Sequence, residues 1–238
     1  MTSFSFSSIT LFLCLLFSTY LTARCFTPPN PNPRDHRLWK HDRVGALADS
    51  RRLLLRRVIS LGLSLYHAVL ALTFDSAQQR NDLFCRNPAN LNPALFTWSA
   101  YTATCLFLLI CIGAPVRLAA YDGLGKNFTF RLAPPDRLIT TGIYRYVQHP
   151  SYTGQLIVIG VNLALFFRWD ASAACWISEH VLARVSGYGW VVYAVLVVFI
   201  VRIGSTRVLD EEAMLKEKFG ETWERWHRST SRFIPGLF

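Results

Sequence analysis

Five apolar stretches interrupt an otherwise polar and basic chain, at residues 4–23, 58–74, 95–120, 152–167 and 187–203. Their lengths suit helices crossing a hydrocarbon core of about 30 Å, the shorter ones with snorkelling flanks. Gly113-Ala114-Pro115 inside the third stretch predicts a kink, because proline lacks an N–H and clashes with the preceding turn. The expected architecture is therefore all-α, a polytopic membrane helix bundle of about five transmembrane helices. Past the fifth stretch the helical pattern continues into polar sequence. Arg207 and Glu211 are spaced i, i+4 and share a face, a spacing that an ordinary surface ion pair would also explain. Leu215, Phe219, Trp223 and Trp226 then form an apolar stripe on a charged segment. This predicts a cytosolic C-terminal amphipathic helix lying in the interface.

Composition agrees with a membrane protein. Of the 238 residues, 52% are hydrophobic and 17% charged, against roughly 25% charged in soluble domains. The net charge of +10 does not point to nucleic acid, because its distribution follows the loops. With alternate crossings, 21 of the 25 Lys and Arg residues fall on one face. By the positive-inside rule that face is cytosolic, which predicts a lumenal N-terminus and a cytosolic C-terminus.

The six cysteines form no C-x-x-C, and four of them sit in or beside apolar runs. They read as small packing residues rather than a disulfide framework, and no metal site is expected. No basic residue precedes the first apolar stretch, which favours a retained first helix (1–23), while "LTA" before Arg24 keeps a cleaved signal peptide open. Residues 24–57 form a basic linker whose segment "TPPNPNPRD" reads as extended or disordered. The remainder, 58–238, is taken as the functional membrane domain. It contains no G-x-G-x-x-G, P-loop or G-x-S-x-G, so any chemistry is built at the membrane–cytosol boundary.

Two polar clusters lie on that boundary. One is "PPDRLITTGIYRYVQHPSYTG", in which His149-Pro150 stands where a helix begins. Free N–H groups at a helix start favour an anion, while its tyrosines alone would pass for an interfacial aromatic belt. The other is residues 202–235. The pattern G-x-Y-x-Y-x-x-H-P-x-Y-x-G, together with E-E-x-x-L-x-x-x-F-G-x-x-W-x-x-W and the closing "TSRFIP", resembles the isoprenylcysteine carboxyl methyltransferase family. "LGKNFTF" is similar to the stretch that family carries before its cofactor region, and the likeness covers about residues 116–238.

The resemblance implies a multi-pass enzyme, expected in the endoplasmic reticulum. It would transfer a methyl group from S-adenosylmethionine to the C-terminal carboxylate of prenylated cysteine. Its partners would be the lipid bilayer and prenylated CaaX-type proteins after removal of the last three residues. By the same resemblance Leu138 and Ile139 contact the cofactor through their backbone. Tyr144, His149, Pro150, Ser151, Tyr152 and Glu211 complete its site, and Arg207 is the substrate-binding and catalytic arginine. These residue types suit the chemistry. A carboxylate is already a nucleophile at neutral pH, so alignment and exclusion of water matter more than a base. An arginine can hold it through a charge-assisted fork.

Two positions depart from the family pattern. Gln148 stands where arginine is common, and the segment between Phe128 and Leu138 is short, which leaves Asp136 and Arg137 without an assigned role. Three other readings compete. A phosphatidylethanolamine-type N-methyltransferase would need a base near the methyl group. A sterol reductase fold would have more helices. A non-catalytic scaffold would leave the two motifs unexplained.

Overall fold

In the computed structural model the structure describes residues 4–33, 38–74 and 84–236. Nine α-helices account for most of them: α1 (Phe6–Cys25), α2 (Ser50–Thr73), α3 (Pro93–Phe96), α4 (Ala100–Phe107), α5 (Ala114–Leu124), α6 (Pro150–Leu165), α7 (Glu179–Ser186), α8 (Gly189–Phe219) and α9 (Glu221–Ser229). No strand occurs among the described residues, only an isolated parallel bridge between Val147 and Ser231. The all-helical membrane class is as the sequence pattern implied.

Boundaries follow local chemistry. Asn92 caps α3 through its side chain with Pro93 at the first position, and Ser99 caps α4 by accepting from the Thr102 N–H at 3.0 Å. A π-helical turn at Leu108–Gly113 joins α4 to α5 immediately ahead of Pro115, the disturbance expected of that proline. Gly220, at φ +50°, separates α8 from α9 in a conformation few other residues adopt.

Among the described residues four helical runs are long and apolar enough to cross a membrane: Phe6–Cys25, Ser50–Thr73, Ala100–Asn127 and Gly189–Phe219. The fourth apolar stretch of the sequence becomes α6, of 16 residues. That is about 24 Å at 1.5 Å per residue, short of a 30 Å core. The count of five spans therefore becomes four long helices and one short one. The second begins eight residues earlier than its apolar run, because the arginine-rich turns before Val58 are already helical. α8 has 31 residues, so the fifth apolar stretch continues without a break into the polar segment that carries Arg207 and Glu211.

The chain forms two compact units. One comprises Met1–Ala23, Arg57–Ile112 and Ile157–Val195. Its apolar interior includes Leu11, Leu15, Leu70, Phe96 and Phe166. Polar links cross it: the Asn162 amide donates to the Thr22 hydroxyl at 3.1 Å, and His67 Nε2 pairs with the Leu95 carbonyl at 3.0 Å. His67 is stacked on Phe96. This unit also corrects the cysteine reading, because Cys85 and Cys175 are joined in a disulfide across 90 residues. Asn87 and Asn90 brace the same junction through hydrogen bonds to the Cys175, Ala174 and Ile177 carbonyls. A pair so distant in sequence leaves no spacing signature, whereas the other four cysteines are free.

The other unit comprises Arg24–Arg56, Gly113–Leu156 and Leu196–Phe238. Its core gathers Leu132, Met214, Leu215 and Trp223, with Trp39, Leu138, Phe219 and Trp226 packed against them. Leu215 and Trp223 of the apolar stripe of α8 and α9 are thus buried in this core, with Phe219 and Trp226 partly buried against it. The break at Gly220 turns Trp223 inward, where it is 6% exposed. The proline-rich segment is also anchored: the Asn30 amide donates to the carbonyls of Gly125 at 2.8 Å and Phe128 at 2.9 Å. Arg34 and Asp35 lie outside the described residues.

Candidate active site

All the residues singled out by the two motifs fall in the second unit. α8 sets Arg207 and Glu211 one turn apart, and α6 opens with Pro150 so that Ser151 and Tyr152 occupy its first turn. The Tyr152 hydroxyl donates to Glu211 at 2.7 Å, which links the two motifs directly. Arg207 is an electrostatic neighbour of both.

His149 is 3% exposed. Its Nε2 meets Glu212 Oε1 at 3.3 Å, so that nitrogen carries the proton and donates. Glu212 in turn accepts two hydrogen bonds from Arg232, each 2.9 Å. Nδ1 of His149 is buried without a hydrogen-bond partner among the described residues, 3.9 Å from Glu211 Oε1. The two adjacent glutamates have therefore parted company: Glu212 holds the C-terminal segment, and Glu211 faces Tyr152 and the unpaired imidazole nitrogen.

Tyr144 donates to the Ala120 carbonyl at 3.2 Å, and its own carbonyl accepts from the Trp226 indole at 3.1 Å. Burial pushes its phenol strongly upward in pKa, with the Glu211 carboxylate adding to the effect, so Tyr144 stays a neutral donor. Leu138 and Ile139 separate. Leu138 packs on the Leu132–Trp223 cluster, whereas Ile139 lines a cavity of ≈ 450 Å³ with Gly125, Lys126 and Arg137 among others. Asp136 pairs with Lys126 at 3.0 Å in that region.

Gln148, the departure from the family pattern, has a structural explanation. It is 4% exposed. Its amide nitrogen donates to the carbonyls of His227 at 3.0 Å and Thr230 at 2.6 Å, and its oxygen accepts from His227 Nδ1 at 2.7 Å. Backbone bonds from Gln148 to Ser231 and from His149 to Arg232, each 2.9 Å, continue the closure. The His149 N–H is consequently spent on the chain itself. Likewise the Tyr152 N–H bonds the His149 carbonyl at 3.1 Å, so the start of α6 offers fewer free donors than its sequence suggested.

Sequence reasoning missed two participants. Arg117 is 7% exposed and lies over the rings of Tyr121, Phe128 and Phe130, with its carbon 4.8–5.4 Å from their centroids. One guanidinium nitrogen donates to the carbonyl of Ser151 at 3.1 Å and to its hydroxyl, while Nε has no partner among the described residues. The signal was present: an arginine inside the third apolar stretch is a functional candidate by position alone. The close approach needs Gly154, since a Cβ there would stand 2.6 Å from the Arg117 nitrogen and 2.7 Å from the Gly113 oxygen. The second is Asp42, whose carboxylate accepts from Arg207 Nη1 at 2.6 Å. Nothing local in the linker marked it.

Among the described residues no group of three or more His, Cys, Asp or Glu is placed to hold a metal. The fold and these side chains define a helical integral membrane protein with a buried cluster of paired acids, arginines and tyrosines beside the start of a short helix. Residues 105–217 match the model of the isoprenylcysteine carboxyl methyltransferase (ICMT) family, so the resemblance read from the motifs is borne out. The chain is 28% identical over 149 residues to the protein-S-isoprenylcysteine O-methyltransferase of Dictyostelium discoideum, covering 61% of this chain and 53% of that protein. It is 28% identical over 144 residues to the enzyme of the same name from Schizosaccharomyces pombe, covering 59% of this chain and 52% of that protein. The chain thus spans about half the length of the curated relatives it matches. No solved structure matches it significantly.

Proposed function

We propose that the protein is a protein-S-isoprenylcysteine carboxyl O-methyltransferase. It uses S-adenosylmethionine to esterify the C-terminal carboxylate of prenylated cysteine in CaaX-type proteins that have lost their last three residues. The observation that carries this reading is the joining of the two motifs: Tyr152 of H-P-S-Y donates to Glu211, one turn from Arg207 on α8.

The site's unpaired groups fit the cofactor. The Glu211 carboxylate, whose Oε1 lies 3.9 Å from the unpartnered His149 Nδ1, is an acceptor suited to an ammonium group. The unpartnered Nε of Arg117 suits a carboxylate. S-adenosylmethionine supplies a methyl group made electrophilic by its sulfonium. Tyr144 and Tyr152 offer ring faces for a cation–π contact. Arg207 orients the acceptor carboxylate, which attacks without a general base. Burial of His149, Ser151 and Arg207 keeps water from the reacting atoms.

The reading includes an endoplasmic reticulum membrane with a cytosolic C-terminus and site. The charge bias supports it, as does the disulfide: Cys85 and Cys175 belong to the two loops poorest in Lys and Arg, where an oxidising lumen would preserve the bond.

The test gives membranes containing the protein labelled S-adenosylmethionine and N-acetyl-S-farnesylcysteine. A base-labile methyl ester, lost in Arg207→Ala, is expected. Label appearing instead in phosphatidylethanolamine would replace this reading with lipid N-methylation. Cofactor affinity should fall in Glu211→Ala, and an unchanged value removes Glu211 from the site.

A further inference from the structure

Arg207 does not stand alone. Asp42, from the segment that precedes α2, accepts from its Nη1 at 2.6 Å, and the Phe130 carbonyl accepts from its Nη2. Both partners of the ion pair are close to nine-tenths buried, with side chains 10% and 9% exposed. Asp42 is itself held in place. Its Oδ2 also accepts from the Leu132 N–H at 3.0 Å. The chain turns tightly behind it, where a Cβ on Gly45 would meet the carboxylate at 2.6 Å.

The next residue repeats the arrangement with the charges reversed. Arg43 donates to Asp210 from its backbone N–H at 3.0 Å and from Nε at 2.7 Å. Two consecutive residues therefore grip two positions of one α8 face, an acid on the arginine and an arginine on the acid. Such a crossed pair fixes both the rotation of the face and the plane of the Arg207 guanidinium, because each contact is directional and charge-assisted.

Two roles are open to a carboxylate on a substrate-binding arginine. It can compete with the substrate's carboxylate, or it can set the orientation of the fork and leave the remaining N–H groups for the substrate. A competitor would have to leave. Asp42 is anchored by the Leu132 N–H, by the turn at Gly45 and by the Arg43–Asp210 pair, and it uses only one Arg207 nitrogen. We infer that Asp42 is a positioning residue for Arg207, contributed to the active site by the linker, and that Arg43–Asp210 secures it there. The inference rests on Arg207 being the arginine that holds the acceptor carboxylate.

The consequence is separable from folding. Burying the prenyl hydrocarbon would contribute affinity independently of Arg207, whereas the fork orientation matters for attack geometry. Misplacing a reacting group by about 1 Å costs on the order of 100-fold in rate. The test compares wild type, Asp42→Asn and Asp42→Ala in detergent. It reads kcat and KM for N-acetyl-S-farnesylcysteine, with equilibrium binding of S-adenosylhomocysteine as the check of the fold. The near-isosteric Asp42→Asn preserves the packing if Asp42→Ala does not fold. The expected result is a fall in kcat of about tenfold or more with KM changed less than about threefold and nucleotide affinity kept within about twofold. Unchanged kcat, with or without a lower KM, overturns the inference, the lower KM identifying Asp42 as a competitor. Loss of nucleotide binding along with kcat in both variants also overturns it, in favour of a general structural role. If the wild-type protein makes no ester, the functional reading itself fails and the inference with it; if Arg207→Ala alone abolishes the ester, only the role of Asp42 is lost.

Discussion

Replacing Gln148 by alanine tests the closure of the C-terminal segment over the start of α6. The residue is 4% exposed, and its side-chain amide donates to the His227 carbonyl and to the Thr230 carbonyl and hydroxyl while its oxygen accepts from His227 Nδ1. A net contribution of about 1 kcal/mol per bond, with some cost for partners left unsatisfied, puts the loss at about 2–4 kcal/mol. The backbone bonds of residue 148 to Ser231 and His149 to Arg232 depend on the same closure, so the loss acts on local opening. At about 1.4 kcal/mol per factor of ten, amide exchange should accelerate roughly 30- to 700-fold. Hydrogen–deuterium exchange on peptides covering residues 147–153 and 226–236 reads this directly, with peptides from α1 as internal controls. Acceleration of less than about threefold in both peptides would refute the assignment of Gln148 as a clamp.

Three other perturbations have defined outcomes. Native protein treated with an alkylating reagent should leave Cys85 and Cys175 unlabelled until reduction, and Cys175→Ser should lower stability by about 2–5 kcal/mol; labelling of both in the unreduced protein contradicts the bond. Burial lowers the pKa of His227, so the folded state binds fewer protons than the unfolded one, and stability present above about pH 6.5 is lost as pH falls through the folded value. Melting curves from pH 7.5 to 5 should show a decline that His227→Gln flattens, and parallel curves would exclude the linkage. Gly154→Ala should cost about 1–3 kcal/mol by pushing α6 from the backbone at Gly113 and Arg117, and a melting temperature equal to wild type would show that the helices do not approach so closely.

What the sequence disclosed was what short-range physics encodes. Apolar runs marked the helices, Pro115 marked the disturbed turn, and the H-P and E-E motifs marked residues that lie within one bond of each other, as Tyr152 and Glu211 do. The pieces it hid depend on distant partners. Asp42 meets Arg207 across 165 residues, and Cys85 meets Cys175 across 90. Neither has a local pattern, and the charge of the linker disguised an acid among nine basic residues. The stripe on α8 and α9 was visible, but an apolar stripe fits a bilayer surface and a protein core equally well. Only the turn at Gly220 decides between them, by folding Trp223 against Leu132 and Met214.

Arg117 carries a consequence for synthesis. A guanidinium on a helix entering a bilayer is costly until it is paired or reaches the interface. Its aromatic neighbours Phe128 and Phe130 and its acceptor Ser151 all come later in the chain, the last by 34 residues. At roughly 5–20 residues per second, the ribosome needs about 2–7 s to deliver that acceptor. Through that interval the third long helix holds a charge whose final surroundings have not been made. Insertion of this helix is therefore completed by sequence that follows it, and variants that remove Ser151 or the two phenylalanines should first appear as defects in biogenesis.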